Sequence, residues 1–179
     1  MPIDDFSNVS LETQDLIMRK ARMEDWRDMY KNLWSHEESA RYMLWDVTTS
    51  EEEAVERMKR TIDFQQKEKY TFLVYEKSTG KAIGFAGMRE KESGVFEEMG
   101  IAIGPAYTGR GYGKQILNAL LDEAFNKCGA HKFIAACRQQ NLPSHYLQMS
   151  CGFKFSHYEE KVDRRNGEKY ILEFNEKTI

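Results

Sequence analysis

The stretch GPAYTGRGYGK, residues 104 to 114, sets Gly109, Gly111 and Gly113 at alternate positions beside the cations Arg110 and Lys114, with Tyr112 between them. Glycines adopt backbone angles closed to other residues and expose successive N–H groups with no Cβ in the way. A helical pattern follows at once, with Ile116, Leu117, Leu120, Leu121, Ala124 and Phe125 on one face. The bare N–H groups therefore stand at the positive end of a helix dipole, which suits an anion and a phosphate above all. Gly-x-Gly-x-Gly-Lys is not the dinucleotide pattern Gly-x-Gly-x-x-Gly. A P-loop would need Gly at Thr108 and Ser or Thr at Gln115. The other reactive types are scattered. Cys128, Cys137 and Cys151 are odd in number and form no Cys-x-x-Cys, so they are expected reduced and mostly buried. Cys137 with His145 would suggest a thiol nucleophile and its base, but nothing local pairs them. His36, His131, His145 and His157 do not cluster at ligand spacing, and no metal is expected.

The elements that must position this turn are legible around it. Leu11, Thr13, Asp15 and Ile17 alternate like a strand, and Trp26, Met29, Tyr30 and Leu33 then recur at helical spacing. Ser50 with Glu53 three residues on is a capping-box spacing ahead of Ala54, Val55, Met58, Ile62 and Gln65. Three strand runs, YTFLVYEK, AIGFAGMRE and VFEEMGIAIG, are separated by turns ending at Gly80 and Gly94 and predict an antiparallel meander. After the glycine turn and its helix, HKFIAAC reads as a buried strand and LPSHYLQMSC as a helix begun near Pro143. A final hairpin runs through RRNGE. Strict alternation in the third run would put Glu98, Gly100 and Ala102 on one face and Glu97, Met99, Ile101 and Ile103 on the other.

Composition bounds the function. A chain of 179 residues with 41% hydrophobic and 31% charged residues is expected to form one domain over its whole length. A net charge of -3 argues against broad attraction to nucleic acid or anionic lipid. No apolar run approaches the roughly 18 to 20 residues of a membrane span. The opening MPIDDFSNVS lacks the basic and apolar regions of a signal peptide, so a cytoplasmic protein is expected.

In this order, the motifs resemble the GNAT superfamily of acyl-CoA-dependent N-acetyltransferases. The family's pyrophosphate loop, (Gln/Arg)-x-x-Gly-x-(Gly/Ala), falls on Thr108 to Gly113, with Thr108 departing from the first position. LETQDLIMRKARMEDW, EEMGIAIGPAYTGRGYGKQIL and NLPSHYLQMSCGF extend the likeness over nearly the whole chain, most of all to the RimJ/RimL type, the ribosomal-protein N-terminal acetyltransferase-like branch. The resemblance implies a mixed α/β (α+β) fold, a largely antiparallel sheet flanked by helices. It also implies a CoA cleft between the central strand and the strand near Phe133. Acetyl-CoA would be the co-substrate and a primary amine the acceptor, first a protein N-terminal α-amine and otherwise a small amine such as an antibiotic or polyamine. A non-catalytic acyl-CoA sensor would keep the same loop. Exposed sheet edges in such a fold leave room for a homodimer.

Carried over residue by residue, the resemblance makes Glu98 the candidate base. It assigns the main chain of Ile101, Ala102 and Ile103 to the pantetheine arm. Gly109, Arg110, Gly111, Tyr112, Gly113 and Lys114 go to the phosphates, and Asn141 goes to the CoA arm. Ser144 becomes the donor toward the departing sulfur. Many family members carry a tyrosine acid seven residues after that asparagine, where this chain has Gln148, which favours Ser144, with Tyr146 the substitute. Asn141 and Ser144 are equally good helix-capping types. Trp34, Tyr42 and Trp45 fall where the family builds its acceptor wall, and they would serve as well in a core. Glu37, Glu38 and Asp46 would attract a cation or simply be solvated.

Overall fold

Strand alternation near the N-terminus is interrupted by a turn. In the computed structural model, which describes residues 4–179, β1 (Leu11–Glu12) and β2 (Leu16–Arg19) form a small hairpin instead of one strand. Thr13 leaves the alternation to bond the turn, its hydroxyl accepting from the Leu16 N–H at 3.1 Å, and Asp15 accepts from the Gln115 Nε2 at 2.7 Å. The helical pattern that follows is likewise divided. A 3-10 turn, Met23–Asp25, leads into α1 (Trp26–Met29) and a π turn, Tyr30–Trp34, which bury Met29, Leu33 and Trp34. A short α2 (Glu37–Ala40) precedes the aromatic loop.

α3 (Glu51–Lys67) starts where its cap predicts, with the Ser50 hydroxyl accepting the Glu53 N–H at 3.1 Å. The Glu53 carboxylate closes the box one residue early, on the Thr49 N–H at 2.9 Å. The meander is β3 (Tyr70–Glu76), β4 (Ala82–Glu92) and β5 (Val95–Ile103). α4 (Tyr112–Asp122) leads through a π turn to β6 (Lys132–Arg138), then α5 (Leu142–Ser150), β7 (Lys154–Val162) and β8 (Lys169–Thr178). The sheet order is β1-β2-β3-β4-β5-β6-β8-β7, antiparallel except for the central β5–β6 pair. The described residues thus give the mixed, largely antiparallel sheet flanked by helices that the sequence predicts.

Apolar residues alternate across the meander and build a core on each face. Phe72, Val74, Met88, Phe96 and Phe133 pack under Ile116, Leu117 and Leu120 of α4. Leu73, Tyr75 and Ala82 pack under Met29, Leu33 and Met58 of the N-terminal helical segment and α3. Each fully buried side chain of this size contributes about 1.5–3 kcal/mol, and the two layers hold the sheet's central strands in place.

β5 departs from strict alternation. Glu98 pairs with Met88 but Ile101 pairs with Ala86, so Met99 and Gly100 together oppose Gly87 in a bulge. Gly100 takes φ +114, a conformation that side chains disfavour. The extra residue shifts the pattern: Ile101 and Ile103 share the face of Glu98, and Ala102 turns to the opposite core. Alternation therefore holds only up to Glu98. Glu97 does point away, and its carboxylate accepts from the Arg89 Nε at 2.6 Å.

Candidate active site

The cleft arises where two parallel strands part. β5 and β6 pair only at Val95 with Lys132, Phe96 with Phe133 and Glu97 with Ile134. Beyond Glu97 the β6-facing edge of β5 has no strand partner among the described residues, and the main-chain groups of Ile101 and Ile103 lie open on it, whereas those of Ala102 turn toward β4. Two cavities fill the gap. One of about 480 Å³ runs from Ile101 to the glycine turn. The other, of about 410 Å³, lies around Glu98, Cys137 and Gln148. Tyr42, Met43, Ile101, Asn141, Ser144 and Leu147 line both, so they adjoin along one channel.

Gly109, Gly111, Tyr112, Gly113 and Lys114 line the outer cavity, with Gly111 as the N-cap of α4. Gly109 and Gly111 hold φ +78 and +80, and a Cβ on either would meet nothing within 4 Å. Their need for glycine is therefore conformational, and the space in front of them is open. None of the N–H groups from Gly109 to Lys114 meets an acceptor among the described residues, so a cradle of donors faces the cavity at the helix start. This fits a pyrophosphate. The Arg110 side chain does not join it: its Nη1 donates to Glu76 Oε2 at 3.0 Å, and the residue is absent from the cavity lining. The Tyr112 hydroxyl donates to the same Glu76 oxygen at 2.7 Å. Glu76, buried at the end of β3, thus fastens the loop from behind, and its carboxyl lies below the usual range, chiefly through the Tyr112 hydrogen bond. Lys114 is the loop cation that faces the cavity.

Glu98 sits at the floor where the strands part. No hydrogen-bond or ion-pair partner is present for its carboxylate among the described residues, and burial pushes it up to about 7. Asn141 caps α5, its Oδ1 accepting the Ser144 N–H at 3.3 Å, while the Ser144 hydroxyl stays free at the junction of the two cavities. Gln148 is buried and accepts from Asn175 Nδ2 at 2.6 Å. Tyr146 is 63% exposed and lines neither cavity. Cys137 lies on the cleft wall, but burial, with Glu173 and Glu98 nearby, pushes its thiol up to about 12. His145 bonds Glu173 at 2.6 Å and not this thiol, so no activated nucleophile forms.

Of the aromatic candidates, Trp34 is buried, Tyr42 lines both cavities and Trp45 lines the inner one. Glu37 is exposed and lines neither, whereas Glu38 reaches the outer cavity and Asp46 is paired with Arg165. Sequence reasoning missed Glu76 altogether. Its partners lie 34 and 36 residues away, and no local spacing marks such a pairing.

A parted pair of parallel strands, a donor cradle opening a helix and a half-buried carboxyl between them suit an extended ligand that ends in phosphates. The sequence pattern of the GNAT acetyltransferase domain matches residues 15–154, and the chain belongs to that family of N-acetyltransferases. It is 27% identical over 148 residues to an uncharacterized N-acetyltransferase, p20, of Bacillus licheniformis, covering 81% of this chain and 82% of that one. A GNAT-family acetyltransferase of Bacillus anthracis superposes with a TM-score of 0.81 at 20% identity, over 95% and 98% of the two chains. RimL, the ribosomal L7/L12 alpha-N-protein acetyltransferase, in complex with coenzyme A, superposes at 0.75 with 17% identity, over 96% and 98%. These neighbours share the fold. No helix among the described residues is long and apolar enough to cross a membrane.

Proposed function

We propose that this chain transfers an acetyl group directly from acetyl-CoA to a primary amine, with an α-amine such as a peptide N-terminus as its first acceptor class. The observation that carries the reading is Glu98, a half-buried carboxyl without a partner among the described residues, in the channel that ends on the donor cradle. The phosphates bind the N–H groups of Gly109 to Lys114, with Lys114 adding charge, and the pantetheine arm runs along Ile101 to Ile103. Asn141 shapes the channel by capping α5 beside it.

The chemistry balances on two groups. The amine nitrogen attacks the thioester carbon and its proton passes to Glu98, directly or through water. The C–S bond then breaks, and the departing sulfur takes a proton relayed through the Ser144 hydroxyl, which regains one from water while Glu98 returns the amine proton to solvent. A base near 7 is well matched to an α-amine, which titrates near about 7.7–8.0, and poorly matched to a lysine near about 10.4. A thiol of reference pKa about 8.5 leaves without much help, so the Ser144 contribution is the smaller one. RimL's name gives an α-N-terminal acceptor, which supports the same choice.

The test is free-thiol release from acetyl-CoA with N-terminal peptides, lysine peptides, polyamines and aminoglycosides, alongside CoA binding on the same sample. Glu98→Gln should lower turnover by about 100-fold and Ser144→Ala by about tenfold, both with CoA affinity kept. CoA binding without transfer to any amine, and unchanged by either substitution, would make the protein a sensor instead.

A further inference from the structure

A third cavity, of about 500 Å³, opens between α3 and the β3–β5 face and meets the cleft at Trp45, Phe85 and Met99. Its charges are unevenly paired. Asp46 and Glu53 reach it, and one oxygen of each carboxylate is engaged elsewhere. Asp46 Oδ1 accepts from Arg165 at 3.0 Å, and Glu53 Oε2 accepts from the Thr49 N–H and hydroxyl at 2.9 and 3.1 Å. Arg57 and Arg60 line the same cavity, and neither has an ion-pair partner among the described residues.

Arg57 is held in place by neutral acceptors, and Glu53 on the same helix offsets its charge in part from a distance. Its Nη1 donates to the Asp46 carbonyl at 3.3 Å and the Thr48 hydroxyl at 3.1 Å, while Nε and Nη2 meet no protein acceptor. That free edge is the one with which a guanidinium grips a carboxylate by two parallel hydrogen bonds. Its plane lies over the rings of Trp34 and Trp45, at 4.7 and 4.5 Å from their centroids. Burial, and then the neighbouring Arg60, pull its pKa down to about 10. Trp45 lines the same cavity. A buried guanidinium edge left without an acceptor is costly, and in a cavity it calls for an acceptor-rich ligand group.

We infer that this cavity is a second anchor for the acceptor, in which Arg57 binds a carboxylate carried by the same molecule that presents its amine to the cleft. The inference rests on the transferase reading of the Glu98 cleft. The carboxylate belongs either to a free amino acid or to an acidic side chain near a peptide N-terminus; the recognising chemistry is the same. Polyamines, which would bring more positive charge toward Arg57 and Arg60, are disfavoured.

The test compares each carboxylate with its uncharged carboxamide twin. The pairs are phenylalanine and its amide, ε-aminocaproate and its amide, and the tripeptide amide Ser-Asp-Ala with its Asn counterpart, with spermidine as the cationic probe. Thiol release from acetyl-CoA is read separately from equilibrium binding of each probe to the CoA-saturated protein. At least one carboxylate should exceed its twin by about tenfold in both readouts, and Arg57→Gln should erase that difference. Arg57→Lys keeps a cation over the tryptophans but lacks the fork, so it should keep only part of the preference; it is the variant to read if Arg57→Gln does not fold. Equal twins at every spacing, a preference for spermidine, or an Arg57→Gln loss shared equally by both twins would overturn the anchor. Transfer without carboxylate preference would refute the anchor and spare the transferase reading. Preferential carboxylate binding without thiol release would do the reverse.

Discussion

Replacing Glu98 by glutamine should make the protein more stable while removing its base. Burial raises the Glu98 carboxyl from 4.5 to about 7, so between those values the folded state holds a proton that the unfolded state has lost. Folding stability therefore falls as pH rises through that window, and the loss is complete above the folded value. A shift of this size corresponds to at most about 3 kcal/mol, reduced because one side of the carboxylate faces the solvent-filled cleft. Glutamine does not titrate and has nearly the same shape. Glu98→Gln should be close to neutral at pH 5 and stabilising by about 2–3 kcal/mol at pH 8. Urea unfolding of both proteins at both pH values isolates the effect, because every other titrating group is common to the pair and cancels in the double difference. If the stability difference between variant and wild type is the same at pH 5 and pH 8, the carboxyl is not perturbed by burial and its suitability as a base at neutral pH fails with it.

Three further outcomes follow from the site. The rate of acetyl transfer under limiting acceptor should rise with pH through about 7 as Glu98 ionises and again as the acceptor amine loses its proton near about 7.7–8.0, and Glu98→Gln should leave only the amine's limb in its residual activity. Gly111→Val places a β-branched side chain at φ +80, at a cost of about 1–3 kcal/mol to the loop conformation. Calorimetric CoA titration should show at least about a tenfold loss while the far sheet stays folded by circular dichroism; undiminished affinity in a folded variant would remove the phosphate assignment. Glu76→Gln takes the charge from beneath Arg110 and Tyr112 and should cost about 1–3 kcal/mol, with weaker CoA binding. Unchanged CoA affinity there would mean that the loop holds its shape without the anchor.

Much of the fold was legible because it is local. The Ser50 cap, the turns at Gly80 and Gly94, the one-face pattern of α4 and the glycine turn before it all depend on residues a few positions apart. The donor cradle is of this kind: glycines, dihedrals and helix start belong to one short segment, and the sequence by itself determined it. The N-terminal hairpin misled because a two-residue turn hides inside an alternating pattern. The Met99–Gly100 bulge was hidden as well, since an extra residue in a strand declares itself only against the partner it fails to match.

What the tertiary structure alone decided is which groups lack partners. Arg110 looked like a phosphate ligand beside its glycines and instead belongs to Glu76, a residue brought up from another strand. Glu98 became the distinctive carboxyl because β5 and β6 part just beyond Glu97, leaving it packed in protein with nothing to pair with, while Glu97 found Arg89. Arg57 is one of many basic residues on an exposed helical pattern until Trp34 and Trp45 are folded beneath it. Sequence spacing fixes which groups share a turn or a face. Desolvation and pairing depend on what chain-distant segments deliver to the same few ångströms, and that is settled only when the sheet is assembled.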